Sequence, residues 1–149
     1  MSGNNSALKA QDSALQKNAT IRVLLVDDHA MVRQALRSVL DSYDDFHVVA
    51  EAQDGAQAVT LVGDLRPRVV VMDISMPRMN GIDATTHIKT HWPETTVIGV
   101  SVNTGDDKSD AMKRAGAAIV LLKETGVDRL HDAIVDEVGG SVDKVAPPH

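Results

Sequence analysis

Short apolar runs alternate along the chain with longer stretches in which apolar residues recur every three or four positions. IRVLLV (21–26) is an apolar, branched run of the kind required by a strand buried on both faces, and DDH follows it directly. Residues 29–42 then place Val32, Leu36, Val39 and Leu40 on one side of a helix. FHVVAEA (46–52) reads as a strand, 54–65 as a helix, RVVVMD (68–73) as a strand, and 81–91 as a helix stopped by Pro93. TTVIGVS (95–101) reads as a strand and 106–115 as a helix ending at Gly116. AAIVLLK (117–123) reads as a strand and 125–138 as a helix ended by Gly139 and Gly140. Five strands therefore alternate with five helices. Such alternation predicts right-handed βαβ crossovers and a doubly wound α/β sandwich, a parallel sheet with helices on both faces.

Ligands of such sheets bind beyond the carboxyl ends of the strands. The residues predicted at those ends are Asp27 and Asp28, Asp73, Ser101 and Lys123. Taken singly, each has a plain structural role. Asp27 and Asp28 could start the following helix, Asp73 and Ser101 could be polar strand ends, and Lys123 could be a solvated surface lysine. Their joint placement points instead to one site. Three carboxylates packed together repel one another, and a hard divalent cation relieves that repulsion. Mg2+ prefers oxygen ligands and one or two carboxylates, which suits Asp28 and Asp73, with Asp27 acting through water. A carboxylate oxygen of Asp73 could then attack phosphorus, while Ser101 and Lys123 each take one phosphoryl oxygen.

Composition narrows the class of molecule. The chain has 149 residues, enough for one domain, with 43% apolar and 24% charged residues. Only Tyr43, Phe46 and Trp92 are aromatic, so aliphatic side chains and methionines must fill the core. The net charge of −6 repels nucleic-acid backbones, which disfavours direct nucleic-acid binding. The absence of cysteine excludes disulfides and thiolate metal sites. No stretch is long and apolar enough to insert in a membrane, and no signal peptide is evident, so a cytoplasmic location is expected. Residues 1–20 read as a flexible tail or linker, 21–138 as the domain and 139–149 as a C-terminal tail.

VLLVDDHAMVRQALRSVL, VVVMDISMPRMNGIDA, VIGVS and AMKRAGAAIVLLKE together resemble the receiver domains of two-component response regulators and hybrid sensor kinases. The resemblance spans about Ile21 to Val138. It implies the 2-1-3-4-5 strand order, which the general rule for such sheets cites for a receiver protein. It further implies that Asp73 is the phosphorylation site and that Asp28, Asp73 and the backbone carbonyl of Ser75 hold Mg2+, with Asp27 acting through water. Ser101 is then the hydroxyl that moves toward the phosphoryl group and Lys123 its ion-pair partner. The implied partner is a histidine kinase or a histidine phosphotransfer protein, and the implied state a monomer or weak homodimer.

Two positions depart from the pattern. Val120 stands where family members usually carry Tyr or Phe, and Glu124 follows the lysine where many carry proline. The second variation is familiar in regulators with a helix-turn-helix output. No such output is evident before the chain ends in SVDKVAPPH, and GVSVNTGDDKSDAMKRAGA is similar to receivers attached to hybrid kinases.

Two other functions compete with phosphoacceptance. A receiver-like interaction module without phosphate control is compatible with Val120. A phosphohydrolase with an aspartyl nucleophile is opposed by Ser75, where a second acid would be expected. Elsewhere His29 reads as a helix-starting residue, Met72 as packing, Arg78 and Asn80 as loop residues, and Gly81 as a turn into the third helix.

Overall fold

A computed structural model describes residues 20–74, 76, 79–102 and 107–139. Both expected tails therefore lie almost wholly outside the described residues. The strands are β1 (Ile21–Val26), β2 (Phe46–Ala52), β3 (Val69–Asp73), β4 (Thr96–Ser101) and β5 (Ile119–Leu122). The helices are α1 (Ala30–Asp41), α2 (Gly55–Leu65), α3 (Gly81–His91), α4 (Asp107–Ala115) and α5 (Lys123–Ile134), the last continuing through a π-helical turn, Val135–Gly139. All strand pairs are parallel, in the order β2-β1-β3-β4-β5. Chain order reverses between β1 and β3, so their carboxyl ends flank the crevice where a ligand is expected.

Strand periodicity sorts the core into two layers. Val23, Leu25, Val69, Val71, Ile98, Val100 and Leu121 face Leu36 and Leu40 of α1 and Leu130 and Ile134 of α5. The intervening residues Leu24, Val26, Val70, Met72 and Val97 face Ala58 and Val62 of α2, Ala84 and Ile88 of α3, and Met112 of α4. Every residue of β3 is buried, as its unbroken apolar run predicts. Met72 belongs to this packing. Opposite Val23 and Leu24, β2 carries one extra residue, Val49, a bulge in an edge strand.

Most boundaries shift by one residue, and the largest difference from the sequence expectation lies around β5. The strand read as 117–123 is only Ile119–Leu122, and Lys123 is the first residue of α5 rather than the end of a strand. The cause is the partner strand. β4 ends at Ser101, which pairs with Leu122, so no ladder remains for Lys123 although the apolar run reaches it.

Gly81 does more than turn the chain. Its N–H donates to the carbonyl of Ile74 at 2.9 Å, tying the start of α3 to the end of β3. A Cβ there would stand 2.1 Å from the carbonyl oxygen of Asp73 and 2.9 Å from Cα of Ile74, both backbone atoms. Gly81→Ala is therefore expected to push the strand end away and cost about 3 kcal/mol by urea denaturation, the upper range for overpacking.

Candidate functional site

β1 and β3 run side by side, with Val26 opposite Met72, so the residues that follow them emerge at the same sheet edge. Asp27 and Asp73 are almost fully buried there, at 1% and 3% exposure. Asp28 is more open. Lys123 enters from the end of β5, with Nζ 3.0 Å from Asp27 Oδ2 and 3.2 Å from Asp73 Oδ2. One ammonium thus serves two buried carboxylates, with a third beside them. Burial opposes the charge on Lys123, but its contacts with Asp27 and Asp73 outweigh that penalty and raise its pKa above the ordinary lysine value.

Ser101 ends β4, buried, one residue beyond Val100, the partner of Asp73. Asp27, Asp28, His29 and Asp73 offer ligand atoms that all lie within 4.8 Å of one another. Of these, Asp27 and Asp73 are buried; among the described residues the three carboxylates outnumber the one ammonium, and their hard oxygen donors fit a divalent cation. Ser75 and Arg78 lie outside the described residues, so the expected carbonyl ligand has no described position.

The sequence model of one protein family, the response regulator receiver domain, matches residues 23–135. The chain belongs to this family. The receiver is 40% identical over 114 residues to the transcriptional regulatory protein LiaR of Bacillus subtilis, covering 76% of this chain and 54% of that protein. It is 34% identical over 114 residues to the transcriptional regulatory protein DegU of Brevibacillus brevis, covering 76% and 48%. The chain thus spans about half the length of these curated relatives.

Among solved structures, it superposes with a TM-score of 0.75 and 34% identity on the response regulator domain of Thermotoga maritima CheB, covering 80% of this chain and 97% of that one. For the receiver domain of the NarL regulator of Mycobacterium tuberculosis, the values are 0.77, 29%, 81% and 98%.

Three features of the receiver were not legible beforehand. Arg33, in the first turns of α1, donates from Nη1 to the carbonyl of Asp27 at 2.5 Å and from Nε to Glu51 Oε1 of β2 at 2.9 Å. Arg37 Nη1 holds the other oxygen of Glu51 at 2.6 Å. The backbone of the acidic turn is thus braced from a second strand. Asn80, read as a loop residue, caps α3, its Oδ1 accepting from the N–H of Asp83 at 2.9 Å. An Asn just before the apolar-periodic stretch is the local signal that identifies such a cap. Lastly, Val120 packs beside Gly99 and Met112, so aliphatic side chains fill the layer beside the expected aromatic position.

The brace gives a pH dependence. The hydrogen bond from Arg37, against the cost of burial and with help from Arg33, lowers the pKa of Glu51 below 4.5. A depressed carboxylate pKa stabilises the fold above the unfolded value and loses that contribution as pH falls through the folded value. Glu51→Gln is expected to destabilise the receiver at pH 7 by about 1 kcal/mol, since the pair is partly exposed. The gap between wild type and variant should close below the ordinary carboxylate range in thermal melts taken across pH.

Proposed function

We propose that this receiver accepts a phosphoryl group on Asp73 from a phosphorylated histidine, with Mg2+ as cofactor. The observation that carries this reading is the buried pair Asp27 and Asp73 sharing the Lys123 ammonium at the edge of the parallel sheet. An oxygen of the Asp73 carboxylate attacks phosphorus, the phosphorus–nitrogen bond of the donor breaks, and its electron pair returns to the imidazole leaving group. Asp27, Asp28 and Asp73 would hold Mg2+, with the carbonyl of Ser75 as a further ligand. When bound, the ion offsets negative charge on the incoming group.

Lys123 stands ready to pair with the transferred phosphoryl group, and Ser101 to donate a hydrogen bond to it. Water attack at phosphorus returns the free carboxylate, so the modification reverses without a second protein. Incubation with acetyl phosphate should label the chain at one site in the presence of Mg2+ and not in EDTA. Equal labelling in EDTA would contradict the reading.

The surface beside the site supports a helical partner of that class. Met31 is 83% exposed on α1, and an apolar recess of about 230 Å³ opens beside it and Lys123, with Ala35, Leu36 and Leu130 in its lining. A helical histidine kinase or phosphotransfer protein could pack an apolar side chain there while presenting its phosphohistidine to Asp73. Met31→Asp is expected to slow transfer from such a donor about tenfold, a loss of roughly 1.4 kcal/mol of association. Labelling by acetyl phosphate should be unchanged. Equal loss with both donors would place the defect in the site rather than at the docking face.

A further inference from the structure

His87 and His91 stand four positions apart on α3, in the run HIKTH (87–91). Four positions are about one helical turn, so both side chains leave the same face. Their rings are stacked, with centroids 4.2 Å apart and an interplanar angle of 20°. One histidine at a helix C-terminus simply answers the helix dipole. A stacked pair brings two imidazoles to one place.

The backbone fixes the tautomer of His91. Its Nδ1 lies 2.9 Å from the carbonyl oxygen of His87, and a carbonyl only accepts, so Nδ1 carries the proton and donates it. Nε2 of the neutral ring then keeps its lone pair. Among the described residues, no hydrogen bond engages the ring of His87.

Helix ends ordinarily fray, but the end that carries this pair is pinned. The N–H of Trp92, the C-cap, donates to the carbonyl of Ile88 at 2.7 Å. Lys89 Nζ donates to the carbonyls of Pro93 and Thr95, each at 2.7 Å, and so closes the turn that follows. The Trp92 ring lies against α2, where a Cβ on Gly63 would stand 3.1 Å from Cζ2, and the guanidinium of Arg66 covers that ring at 5.6 Å. The two imidazoles are therefore held in register before any ligand arrives, which lowers the ordering cost of binding one.

We propose that His87 and His91 form a two-imidazole site for a borderline transition ion, Cu2+ ahead of Zn2+, apart from the phosphoryl chemistry. Such ions take imidazole readily, and affinity along the first row peaks at Cu2+. Two nitrogens bound about 2 Å from one ion stand roughly 3 Å apart, so these stacked rings converge by small side-chain rotations. The Nδ1–H of His91 rests on a carbonyl, the arrangement that orients ligating histidines elsewhere. Water fills the remaining positions on the ion. Buried Ile88 stands where the helical zinc-protease motif carries its glutamate base, so the pair holds an ion without hydrolytic chemistry. The site is remote from the acidic pocket. Gly81 adjoins Asp73 at the other end of α3, and the helix rise puts His91 about 15 Å further along the axis.

Trp92 is the only tryptophan, and its ring centroid lies 6.2 Å from that of His87 and 5.7 Å from that of His91. Its fluorescence is therefore quenched by Cu2+ held on the pair. The full chain is titrated with Cu2+ in excess Mg2+, for wild type, His87→Gln and His91→Gln. Wild-type quenching is expected to saturate along a single binding curve. Each substitution should weaken the apparent affinity about a hundredfold, the lower end of what joining two ligands on one rigid scaffold contributes. In the wild type, Zn2+ should shift the imidazole resonances of His87 and His91 together, a readout that does not depend on how the variants fold. Quenching whose midpoint survives either substitution overturns the proposal, because one imidazole or another site then holds the ion. Absence of saturable quenching in the wild type, or resonances of the two histidines unmoved by Zn2+, also overturns it.

Discussion

Asp73→Asn is expected to abolish labelling by acetyl phosphate and, without divalent cation, to raise the melting temperature. The first effect is chemical. The amide oxygen is a poor nucleophile and cannot form the acyl phosphate, and no neighbouring carboxylate takes over, because Asp27 already lies against Lys123 and His29. The second effect is electrostatic. Asp27 and Asp73 are buried around one ammonium with Asp28 beside them, so a neutral side chain at 73 relieves like-charge repulsion while keeping nearly the same volume. A gain of about 1 kcal/mol corresponds to roughly 3–5 °C for a domain of this size. Lost labelling together with a lower melting temperature would mean that Asp73 is held by more favourable contacts than repulsive ones. The melt is read by circular dichroism.

Lys123→Met acts in the opposite direction and more strongly. It leaves two buried carboxylates without their shared cation, and breaking a buried ion pair from one side typically costs about 3–5 kcal/mol. The loss should shrink when divalent cation is added, because the ion replaces part of the missing charge, and at acid pH, where carboxylates become neutral. At the alkaline end, the raised pKa of Lys123 fixes the sign for the wild type. Its contribution is fully present below the ordinary lysine value of 10.5 and is lost as pH rises through the higher folded value. The advantage of wild type over Lys123→Met should therefore persist past that point and vanish only above it. Urea denaturation from neutral to strongly alkaline pH measures the difference.

The fold was legible because strands buried on both faces leave unbroken apolar runs and the helices between them leave one-sided stripes. IRVLLV and RVVVMD carry the first signal, and Val32, Leu36, Val39 and Leu40 carry the second. The acidic pair, Asp73 and Lys123 were legible for a related reason: parallel strands deliver their carboxyl ends to one edge, so sequence positions far apart become neighbours.

What stayed hidden depends on distances across the sheet. The role of Arg33 needs the turn after β1 and the end of β2 to lie within one guanidinium of each other, which no local pattern announces. The true end of β5 is set by where β4 stops, not by the apolar run that continues to Lys123. The closeness of Gly81 to the carbonyl of Asp73 is a clearance between two backbones, and the sequence records only that a glycine is there.

The most direct test of the account is to map the phosphoryl group. The chain is treated with acetyl phosphate and Mg2+, the acyl phosphate is reduced with borohydride, and the digested peptides are read by mass spectrometry. The account predicts one modified residue, Asp73 converted to homoserine, with Asp27 and Asp28 intact. Reduction at either of those residues, or no reduced residue after treatment with Mg2+ present, would contradict it.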